Sequence, residues 1–574
     1  MEKVIFLFLR QMRVPLILLI VAYAISIGGL VLIPGRDDQG QVWHYDFFHA
    51  FYFVSFTGPT IGFGEIPYPL TPAQRMWVVF TVYLTVISWL FAIGKIFALV
   101  QDPAFTRAMS EARFIRAVRA IREPFYIVCG YGETGSRLVR SLVNRQIRCV
   151  VIERDPEHVA DLHLEELALD VPCMCGDASV TRHLREAGLR LPHCVGVLAL
   201  TGSDRANVKI AVTSKLLRPE LQVIARVASR EAANNLESFN TDVIINPFES
   251  FAEHTGLAVR APSIHLLHRW LVSLPGNPLD ASVCPPRGHW VICGYGRFGQ
   301  AMTRYLNAEG IDVSVIESDR ARVDAMRGNL PDRLVVGSAT DPEPLHEAGI
   351  ESAAGVVAGT DDDANNLSMV MTAQQINPRL FRIARQNKRD DDDIFRAARL
   401  DLVMEPSRVT VWQVLSLITV HYLAAFLAEA RRQDEAWALA LLERIREATG
   451  GLTPQTWMTR LNRQDAPGAA QLFERGSEIR VGHLRQDPRR RERKLPMVAL
   501  MHVRHGQHTL LPDDDFALQL GDRVLWTARE GLRDQLAWLL HNPDQLAFAM
   551  DGQERPVGAI GRWWFKQRRA RKSA

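Results

Sequence analysis

The central part of the sequence contains the same pattern twice. Residues 126–153 read YIVCGYGETGSRLVRSLVNRQIRCVVIE, residues 290–317 read WVICGYGRFGQAMTRYLNAEGIDVSVIE, and the two align without a gap. Each copy predicts an apolar strand, a G-x-G-x-x-G turn, an amphipathic helix and a second apolar strand that ends in a glutamate. Strands that alternate with helices favour a parallel, doubly wound sheet, so the chain is expected to hold two Rossmann-like α/β domains in tandem.

The similarity continues downstream of both segments. Further matching stretches are GDAS at 176–179 with GSAT at 337–340, IAR at 224–226 with IAR at 383–385, and DVIINP at 242–247 with DLVMEP at 401–406. Prolines and glycines concentrate between residues 275 and 288, which indicates a linker. The first α/β domain is therefore predicted over residues 124–280 and the second over residues 286–455.

The G-x-G-x-x-G turn is a dinucleotide fingerprint when it follows a strand, opens a helix and precedes an acid at the end of the next strand. Both copies meet these conditions, with the acid 18 residues after the last glycine. Such glycines let the backbone approach a pyrophosphate at the positive end of the helix. The predicted nucleotide-binding residues are Gly130, Gly132, Gly135, Glu153 and Asp177 in the first domain, and Gly294, Gly296, Arg297, Gly299 and Glu317 in the second.

Charge around the turns predicts which nucleotide would bind. Glu153 and Glu317 are expected to accept hydrogen bonds from an adenosine ribose and to repel a 2′-phosphate, which favours NAD or ADP over NADP. Glu133 in the first turn would stand beside the phosphates, whereas Arg297 in the second turn suits them. This difference favours the second domain as the phosphate binder. The alternative is a scaffold that keeps its glycines for tight packing alone and binds no nucleotide.

The first hundred residues predict a membrane domain. Residues 14–33 carry no charge, and residues 76–100 carry only Lys95 near their end. Each segment is long enough to cross the roughly 30 Å hydrocarbon core of a bilayer. Residues 45–56, between them, are apolar and aromatic but too short to span. This order predicts a two-span pore domain over residues 1–102, with a re-entrant pore helix and a Gly-x-Gly loop at 45–65.

The charges that flank the spans predict an orientation. Lys3, Arg10 and Arg13 precede the first span, and five arginines between 107 and 122 follow the second. By the positive-inside rule, both termini are cytoplasmic and the chain is a multi-pass protein of the cell's inner (plasma) membrane. A secretory signal is the alternative interpretation of the first segment. That segment is longer than the usual core of a signal peptide, and a second span follows it.

The loop between the spans resembles a K⁺ selectivity filter. Its residues are Thr60, Ile61, Gly62, Phe63, Gly64 and Glu65. In such filters, the backbone carbonyls of Thr-Val-Gly-Tyr-Gly loops replace the hydration shell of the ion. Pro59, Phe63 and Glu65 depart from the usual pattern of these filters. Conduction of K⁺ is therefore expected, and the strictness of the selectivity stays open.

With these features together, the chain resembles prokaryotic K⁺ channels that carry two RCK (TrkA-N) domains per subunit, of the GsuK type. The resemblance implies a homotetramer with a cytoplasmic ring of eight RCK domains, K⁺ as the permeant ion, and gating by NAD or ADP bound to that ring. Ca²⁺ is a further candidate ligand, although the acidic pairs that bind it in some RCK channels are missing at residues 226–230.

The resemblance also assigns the remaining segments. It implies that residues 103–123 form a gating linker between pore and ring, and that residues 456–545 form a small α+β lobe similar to TrkA-C. Residues 546–574 are predicted to be a basic tail that either is solvated or contacts the lipid bilayer.

Two other classes of function remain open at this point. A regulatory nucleotide-binding protein of a K⁺ transport system would contain TrkA-N domains, but it has no need of a filter loop. A dehydrogenase would explain the fingerprints, but neither repeat offers an obvious His, Lys and Tyr arrangement for proton transfer. No enzyme activity is therefore expected. The net charge of +3 does not favour a nucleic acid partner.

Overall fold

The computed structural model describes residues 2–64, 67–273, 275–279, 283–325, 331–419, 422–487, 490 and 493–552. These residues form two compact units, one built mainly from residues 2–123 and one from the chain beyond.

The first unit is α-helical. Its elements are α1 (Glu2–Leu32), a short hairpin of β1 (Gly35–Arg36) and β2 (Val42–Trp43), α2 (Phe47–Thr57), α3 (Pro72–Gln101) and α4 (Pro103–Ala120). The segments Phe8–Leu32 and Pro72–Gln101 are long and apolar enough to cross a membrane. They overlap both predicted spans, and α2 lies over the predicted half-span, so the predicted two-span class is confirmed.

Indole rings hold the two long helices together. Nε1 of Trp77 on α3 donates to the carbonyl of Ser26 on α1 at 3.1 Å. Nε1 of Trp89 donates to the hydroxyl of Tyr23 at 3.2 Å. Gly29 lies beneath the Trp77 ring, where an added Cβ would come within 2.0 Å of the ring. The helices approach closely here because glycine leaves room for the ring, as small residues do between membrane helices.

A single aspartate connects three of these helices. Asp102 follows α3, and its Oδ1 accepts a hydrogen bond from the backbone N–H of Ala104 at 2.7 Å, which caps α4. Its Oδ2 accepts a hydrogen bond from Nε2 of Gln11 on α1 at 2.8 Å. Pro103 occupies the first position of α4, where the missing N–H costs nothing. The start of α4 is thereby fixed to α1.

The second unit begins with the first α/β domain. Its strands are β3 (Phe125–Cys129), β4 (Arg148–Glu153), β5 (Cys173–Cys175), β6 (Cys194–Ala199), β7 (Gln222–Arg226) and β8 (Val243–Ile245). Its helices are α5 (Glu133–Asn144), α6 (Pro156–Leu164), α7 (Thr181–Glu186), α8 (Asp204–Leu217), α9 (Arg230–Ser238), α10 (Pro247–Arg260) and α11 (Pro262–Val272). The sheet order is β5-β4-β3-β6-β7-β8.

The second α/β domain has the same design. Its strands are β9 (Trp290–Cys293), β10 (Val313–Glu317), β11 (Arg333–Val336), β12 (Gly355–Ala358), β13 (Phe381–Arg385) and β14 (Leu402–Met404). Its helices are α12 (Arg297–Ala308), α13 (Arg320–Ala325), α14 (Pro342–Glu347), α15 (Asp363–Ile376), α16 (Asp392–Ala397) and α17 (Pro406–Thr419), with 3-10 turns at Ile350–Ser352 and Arg389–Asp391. The order β11-β10-β9-β12-β13-β14 matches the first sheet strand for strand, which confirms the predicted tandem Rossmann-like domains.

The helix that follows the last strand of each α/β domain packs against the other domain. Helix α10 packs on α12, and helix α17 packs on α5. Phe248 of α10 enters the core of the second domain, where its ring centroid lies 6.1 Å from that of Phe298. Ion pairs accompany both contacts, from Arg304 to Glu249 at 2.7 Å and from Arg137 to Glu405 at 2.6 Å. The two domains are therefore tied into one body by exchanged helices.

The rest of the described chain is an α+β lobe. It comprises α18 (Leu423–Ala430), α19 (Glu435–Thr449), β15 (Gln455–Arg460), α20 (Pro467–Glu474), α21 (Val481–Leu484), β16 (Met497–Arg504), β17 (Gln507–Leu510), β18 (Arg523–Ala528), α22 (Leu532–His541) and α23 (Pro543–Asp551). Its antiparallel sheet has the order β15-β18-β16-β17. Residues 546–551, predicted as the start of the tail, belong to α23, and residues 553–574 lie outside the described part of the chain.

Candidate functional site

The two G-x-G-x-x-G turns have the same backbone geometry. The first glycines, Gly130 and Gly294, have φ of +102° and +92°, a conformation that favours glycine. At the third glycines, Gly135 and Gly299, an added Cβ would lie 2.0 Å from the carbonyl oxygen of the first glycine of the same turn. These four predicted residues are therefore required by the fold of the turn itself.

The middle glycines are different, because the backbone does not require them. Gly132 and Gly296 have φ of −73°, and each stands at the N-cap of the following helix. The nearest atoms to an added Cβ are Cε1 of His158 and Nη1 of Arg322, both at 4.0 Å. The missing side chains leave an open cradle at the N-termini of α5 and α12. A phosphate group fits such a cradle, since the first N–H groups of a helix point toward it.

The two predicted ribose acids lie beside these cradles. Glu317 accepts hydrogen bonds from the backbone N–H of Tyr295 at 2.8 Å and from that of Asp319 at 3.0 Å, through different oxygens. Glu153 does the same with the N–H groups of Tyr131 and Asp155. Each carboxylate is thus held at the carboxyl end of its strand, next to the turn. Its remaining lone pairs suit ribose hydroxyl groups.

The side chains around the two cradles differ in charge. The first turn carries Glu133, and the residue that faces its middle glycine is His158. The second turn carries Arg297, and the residue that faces its middle glycine is Arg322. Nη1 of Arg322 lies 3.4 Å from Oε2 of the buried Glu317. The first cradle therefore has an acidic rim and the second a basic one.

Sequence reasoning missed His158 and Arg322, although a signal was present. Both follow the acid at the end of the second strand by five residues, at matching positions of the repeat. Their residue types differ between the two copies, so the repeat alone does not mark them as site residues. The structure also directs Arg297 toward Phe248, with its Cζ 5.6 Å from the ring centroid.

Asp177 lies in the turn after β5. Its Oδ1 accepts a hydrogen bond from the backbone N–H of Ser179 at 2.8 Å, and its carbonyl oxygen lies 2.8 Å from Nδ1 of His183. Partial burial raises the pKa of this carboxyl, but the hydrogen bonds from Ser179 outweigh it and lower the pKa. The neighbouring Gly176 N–H donates to the carbonyl of Glu153 at 2.7 Å, which sets Asp177 near the first ribose acid.

The loop after α2 has the glycine geometry of a tight backbone turn. Helix α2 begins at an N-cap, Asp46, whose Oδ1 accepts from the N–H of His49 at 2.7 Å. After the helix, the N–H of Ile61 donates to the carbonyl of Phe56 at 2.9 Å. Gly62 and Gly64 have φ of +71° and +101°, which other residues adopt at a cost. Glu65, the last predicted filter residue, lies outside the described residues.

The described loop residues differ in their surroundings. Thr60 has a φ of +66°, an uncommon value for a residue with a side chain. The ring of Phe63 makes an edge contact with that of Phe56, at 5.4 Å between centroids. Phe56 therefore contacts the loop both through its backbone carbonyl and through its ring.

Across the ranges that the structure describes, no group of three or more His, Cys, Asp or Glu side chains could hold a metal ion. Residues 390–393 are four consecutive aspartates, and two of them have protein partners. Asp393 pairs with Arg396 at 2.9 Å, and Asp392 accepts a hydrogen bond from Gln386.

Comparison with known families identifies the two kinds of module. The TrkA-N domain model matches residues 126–247 and 290–406, and the ion channel model matches residues 16–102. These segments coincide with the two α/β domains and with the two-span unit.

Individual relatives match parts of the chain. The Trk system potassium uptake protein TrkA homolog of Archaeoglobus fulgidus is 26% identical over 363 residues, which cover 51% of this chain and 80% of that protein. Potassium channel protein 1 of Methanocaldococcus jannaschii is 24% identical over 204 residues, which cover 36% of this chain and 60% of that protein. The chain spans 80% and 60% of the length of these two relatives and 35% of the length of a third curated relative.

A solved structure of a GsuK channel bound to NAD is 16% identical in sequence to this chain. The match covers 94% of this chain and 99% of the GsuK chain, with a TM-score of 0.47.

Proposed function

We propose that this chain, which joins an ion-channel pore module to two TrkA-N domains as K⁺ channels with tandem RCK domains do, is the subunit of a nucleotide-gated potassium channel. One observation carries the proposal. The same chain holds a short apolar helix and a glycine loop between two helices long enough to cross a membrane, and two glycines that leave open space at helix N-termini. A channel with a ligand-binding regulator needs both parts.

The loop at residues 60–64 would supply the backbone carbonyls that replace the hydration shell of K⁺. One loop supplies one quarter of such a filter, because filters of this class use four loops. A homotetramer with eight TrkA-N domains follows from that count. Its place would be the cell's inner membrane, with both termini in the cytoplasm, since arginines and lysines flank the inner ends of the spans.

NAD or ADP is the proposed gating ligand. Gly132 and Gly296 leave room for its phosphates, the N-termini of α5 and α12 supply N–H donors, and Glu153 and Glu317 accept from the ribose. A bound nucleotide supplies negative charge and a rigid link between turn and strand. Gating then requires that the TrkA-N domains bind it with different affinity in the open and the closed channel. Helix α4 joins α3 to the first α/β domain along the chain and would transmit that change.

Potassium flux from liposomes tests the pore. Gly62→Ala and Gly64→Ala each place a side chain at a positive φ in the loop, so both should abolish flux of the reconstituted full chain. Gly40→Ala is the matched control, because Gly40 also has a positive φ (+79°) but lies in the β1–β2 hairpin turn. Flux through Gly62→Ala that equals flux through Gly40→Ala would overturn the proposed filter.

Nucleotide titration tests the gate separately. NAD and ADP on the cytoplasmic side should change the flux of the unaltered channel, and the double variant Gly132→Asp with Gly296→Asp should remove the response, because a carboxylate would fill each cradle and repel the phosphates. If the unaltered channel conducts K⁺ but neither nucleotide changes its flux, the proposed pore stands and the proposal of NAD or ADP as gating ligand is contradicted.

A regulatory protein of a separate K⁺ transport system is the second candidate. It is favoured by the Archaeoglobus fulgidus relative, which bears the name of a Trk system potassium uptake protein. The purified chain alone separates the two candidates, since a regulator without its transporter carries no K⁺ flux.

A further inference from the structure

Two arginines lie inside the first candidate membrane helix. The part of α1 that is long and apolar enough to cross a membrane, Phe8–Leu32, contains Arg10 and Arg13, and both are exposed. Val14 and Ile17, four residues after each arginine, are also exposed, at 64% and 50%. Because residues four apart lie on one face of a helix, the arginines share their face with apolar side chains. The surface of α1 therefore changes from charged to apolar within about one turn.

The length of the helix sets the depth of these two arginines in a bilayer. Residues 14–32, at a rise of 1.5 Å per residue, are about 28 Å long, which is close to the roughly 30 Å of a hydrocarbon core. When these apolar residues fill the core, Arg10 and Arg13 lie in the layer of the lipid headgroups. Long basic side chains at the ends of membrane helices extend toward that layer.

Helix α4 brings more positive charge to the same end of the membrane helices. Gln11, which stands between the two arginines in the sequence, donates from Nε2 to Oδ2 of Asp102 at 2.8 Å and so holds the start of α4 against α1. Arg107 lies in the second turn of α4 and is exposed. Three further arginines of α4 are exposed as well, namely Arg113, Arg116 and Arg119.

Protein carboxylates do not neutralise this charge. Within the described part of the chain, Arg10, Arg13 and Arg107 make no ion pair. Asp102, the acid at the start of α4, already accepts hydrogen bonds from Gln11 and from the backbone N–H of Ala104. The guanidinium groups are therefore available to an anion from outside the chain.

The headgroup layer supplies an anion of matching chemistry. A guanidinium group binds phosphate oxygens through paired hydrogen bonds, which a phospholipid headgroup offers. Anionic phospholipids also carry a net negative charge, which attracts clusters of basic side chains next to membrane helices, whereas zwitterionic phospholipids have no net charge. A cluster of arginines at this depth should therefore prefer anionic lipids.

We propose that the end of the membrane helices that carries α4 is a binding surface for anionic phospholipids, with Arg10 and Arg13 on the phosphate group. The arginines of α4 add positive charge around it. The occupant is a phospholipid and not free phosphate, because Val14 and Ile17 offer apolar contacts to its acyl chains on the same face of α1. This surface requires the membrane helices but neither conduction nor nucleotide, so failure of the proposed channel leaves it testable.

Lipid binding to the full chain in detergent provides the first test. Microscale thermophoresis measures the affinity for dioctanoyl phosphatidylglycerol and for dioctanoyl phosphatidylcholine, which has no net charge. The unaltered chain should bind phosphatidylglycerol about fivefold or more tightly than phosphatidylcholine. Arg10→Gln and Arg13→Gln should each weaken binding of phosphatidylglycerol about fivefold, the effect of one basic side chain near a headgroup layer. Arg107→Gln should weaken it by a smaller factor.

Arg36→Gln is the matched control. Arg36 is also exposed and belongs to the same unit, but it lies in β1, after the opposite end of α1. Its removal should leave binding of phosphatidylglycerol unchanged. Equal affinity of the unaltered chain for the two lipids, or equal losses in Arg36→Gln, Arg10→Gln and Arg13→Gln, would overturn the proposal. Inorganic phosphate that displaces the lipid more than chloride of the same ionic strength does would identify a site for free phosphate and overturn it too.

A measurement on the unaltered chain covers the case in which a variant does not fold. Raising KCl from about 0.1 M to about 1 M shortens the Debye length from about 10 Å to about 3 Å. Binding of phosphatidylglycerol should then weaken about fivefold or more, because salt screens the arginines, and binding of phosphatidylcholine should stay the same. Binding of phosphatidylglycerol that does not respond to salt would mean that acyl chains alone hold the lipid, which contradicts the proposal.

Discussion

The two TrkA-N domains share one backbone and carry opposite charge at the same place. Both turns have a left-handed first glycine, a third glycine pressed against a carbonyl oxygen and a middle glycine that faces open space. The residue that faces this space is His158 in the first domain and Arg322 in the second, and the residue after the middle glycine is Glu133 in the first and Arg297 in the second. The backbone is therefore required by folding, while the choice of ligand rests on a few side chains at the rim.

Glu153 and Glu317, the glutamates predicted to bind ribose, add to this contrast between the two domains. Glu317 is buried and has Arg322 at 3.4 Å, whereas Glu153 is only partly buried and follows an acidic turn. A cation close to a carboxylate reduces its repulsion of a further anion. The second cradle is therefore suited to a ligand with more negative charge than the first. The two domains need not respond to the same nucleotide concentration.

The largest effect is expected where the two domains are alike. Gly135→Ala and Gly299→Ala each place Cβ 2.0 Å from a backbone oxygen that cannot move without breaking the turn. Overpacking of this kind costs about 3 kcal/mol, and the cost should be the same in both domains. Thermal unfolding of the full chain in detergent measures it. Gly132→Ala and Gly296→Ala are matched controls that should unfold as the unaltered chain does. A variant at Gly135 or Gly299 with an unchanged Tm contradicts the packing argument.

The second effect separates the domains by the helices that come after their sheets. Helices α10 and α11, after the first sheet, carry His254, His265 and His268, whereas α17 and α18 contain no histidine. Rings of His254 and His268 lie 4.3 Å apart, and Nη2 of Arg431 lies 3.2 Å from Nε2 of His254. Burial lowers the pKa of His254 to about 3 and that of His265 to about 4, and it lowers the pKa of His268 well below the usual range.

These shifts fix the sign of the pH effect. Below about pH 6.5, the unfolded chain binds protons on these histidines and the folded chain does not. The free energy of unfolding therefore decreases as the pH is lowered below that value. The loss from His265 should end near pH 4, whereas the loss from His254 should continue to about pH 3. Tm measured between pH 7.5 and 5 should fall, and His268→Leu should flatten the slope. His541→Gln is the control on an exposed histidine, and an equal slope in His268→Leu and His541→Gln would rule out the cluster as the cause.

Sequence reasoning reached the local parts of this structure and missed the long-range ones. The gapless repeat predicted both sheets, both turns and both ribose acids, because each depends on residues within one strand–turn–helix–strand unit. It did not predict that α10 packs on α12 and α17 on α5, since a helix pattern shows an apolar face but not the surface that covers it. For the same reason, the meeting of Arg297 and Arg385 at Phe248 was not predicted. The predicted filter and orientation stay predictions.

The third effect is an exchange of rim charge. Arg297→Glu should weaken ADP binding to the second domain about 10-fold to 100-fold, and Glu133→Arg should strengthen binding to the first by a similar or smaller factor. A single charge beside a phosphate is worth roughly 1–3 kcal/mol at partly exposed positions. Titration calorimetry of the full chain, with the other cradle closed by Gly132→Asp or Gly296→Asp, measures each domain alone.

Arg304→Glu is the control for this prediction. It removes a nearby arginine that pairs with Glu249 and should change ADP affinity less. Equal changes in Arg297→Glu and Arg304→Glu would show that net charge, and not the position at the turn, decides the affinity.

The smallest effect concerns the choice between NAD and NADP. Arg322 lies beside Glu317 and within reach of the second cradle, so it should partly relieve the repulsion between Glu317 and a 2′-phosphate. Arg322→Gln should therefore lower the affinity for NADP and spare that for NAD, which raises the NAD preference of the second domain a few-fold. The matching change in the first domain, His158→Gln, should leave the preference there unchanged, because it removes no arginine from beside Glu153. Competition between the two dinucleotides for each domain measures the ratio. A preference that shifts equally in both variants would mean that the two rims act alike, and the contrast between the domains would then rest on Glu133 and Arg297 alone.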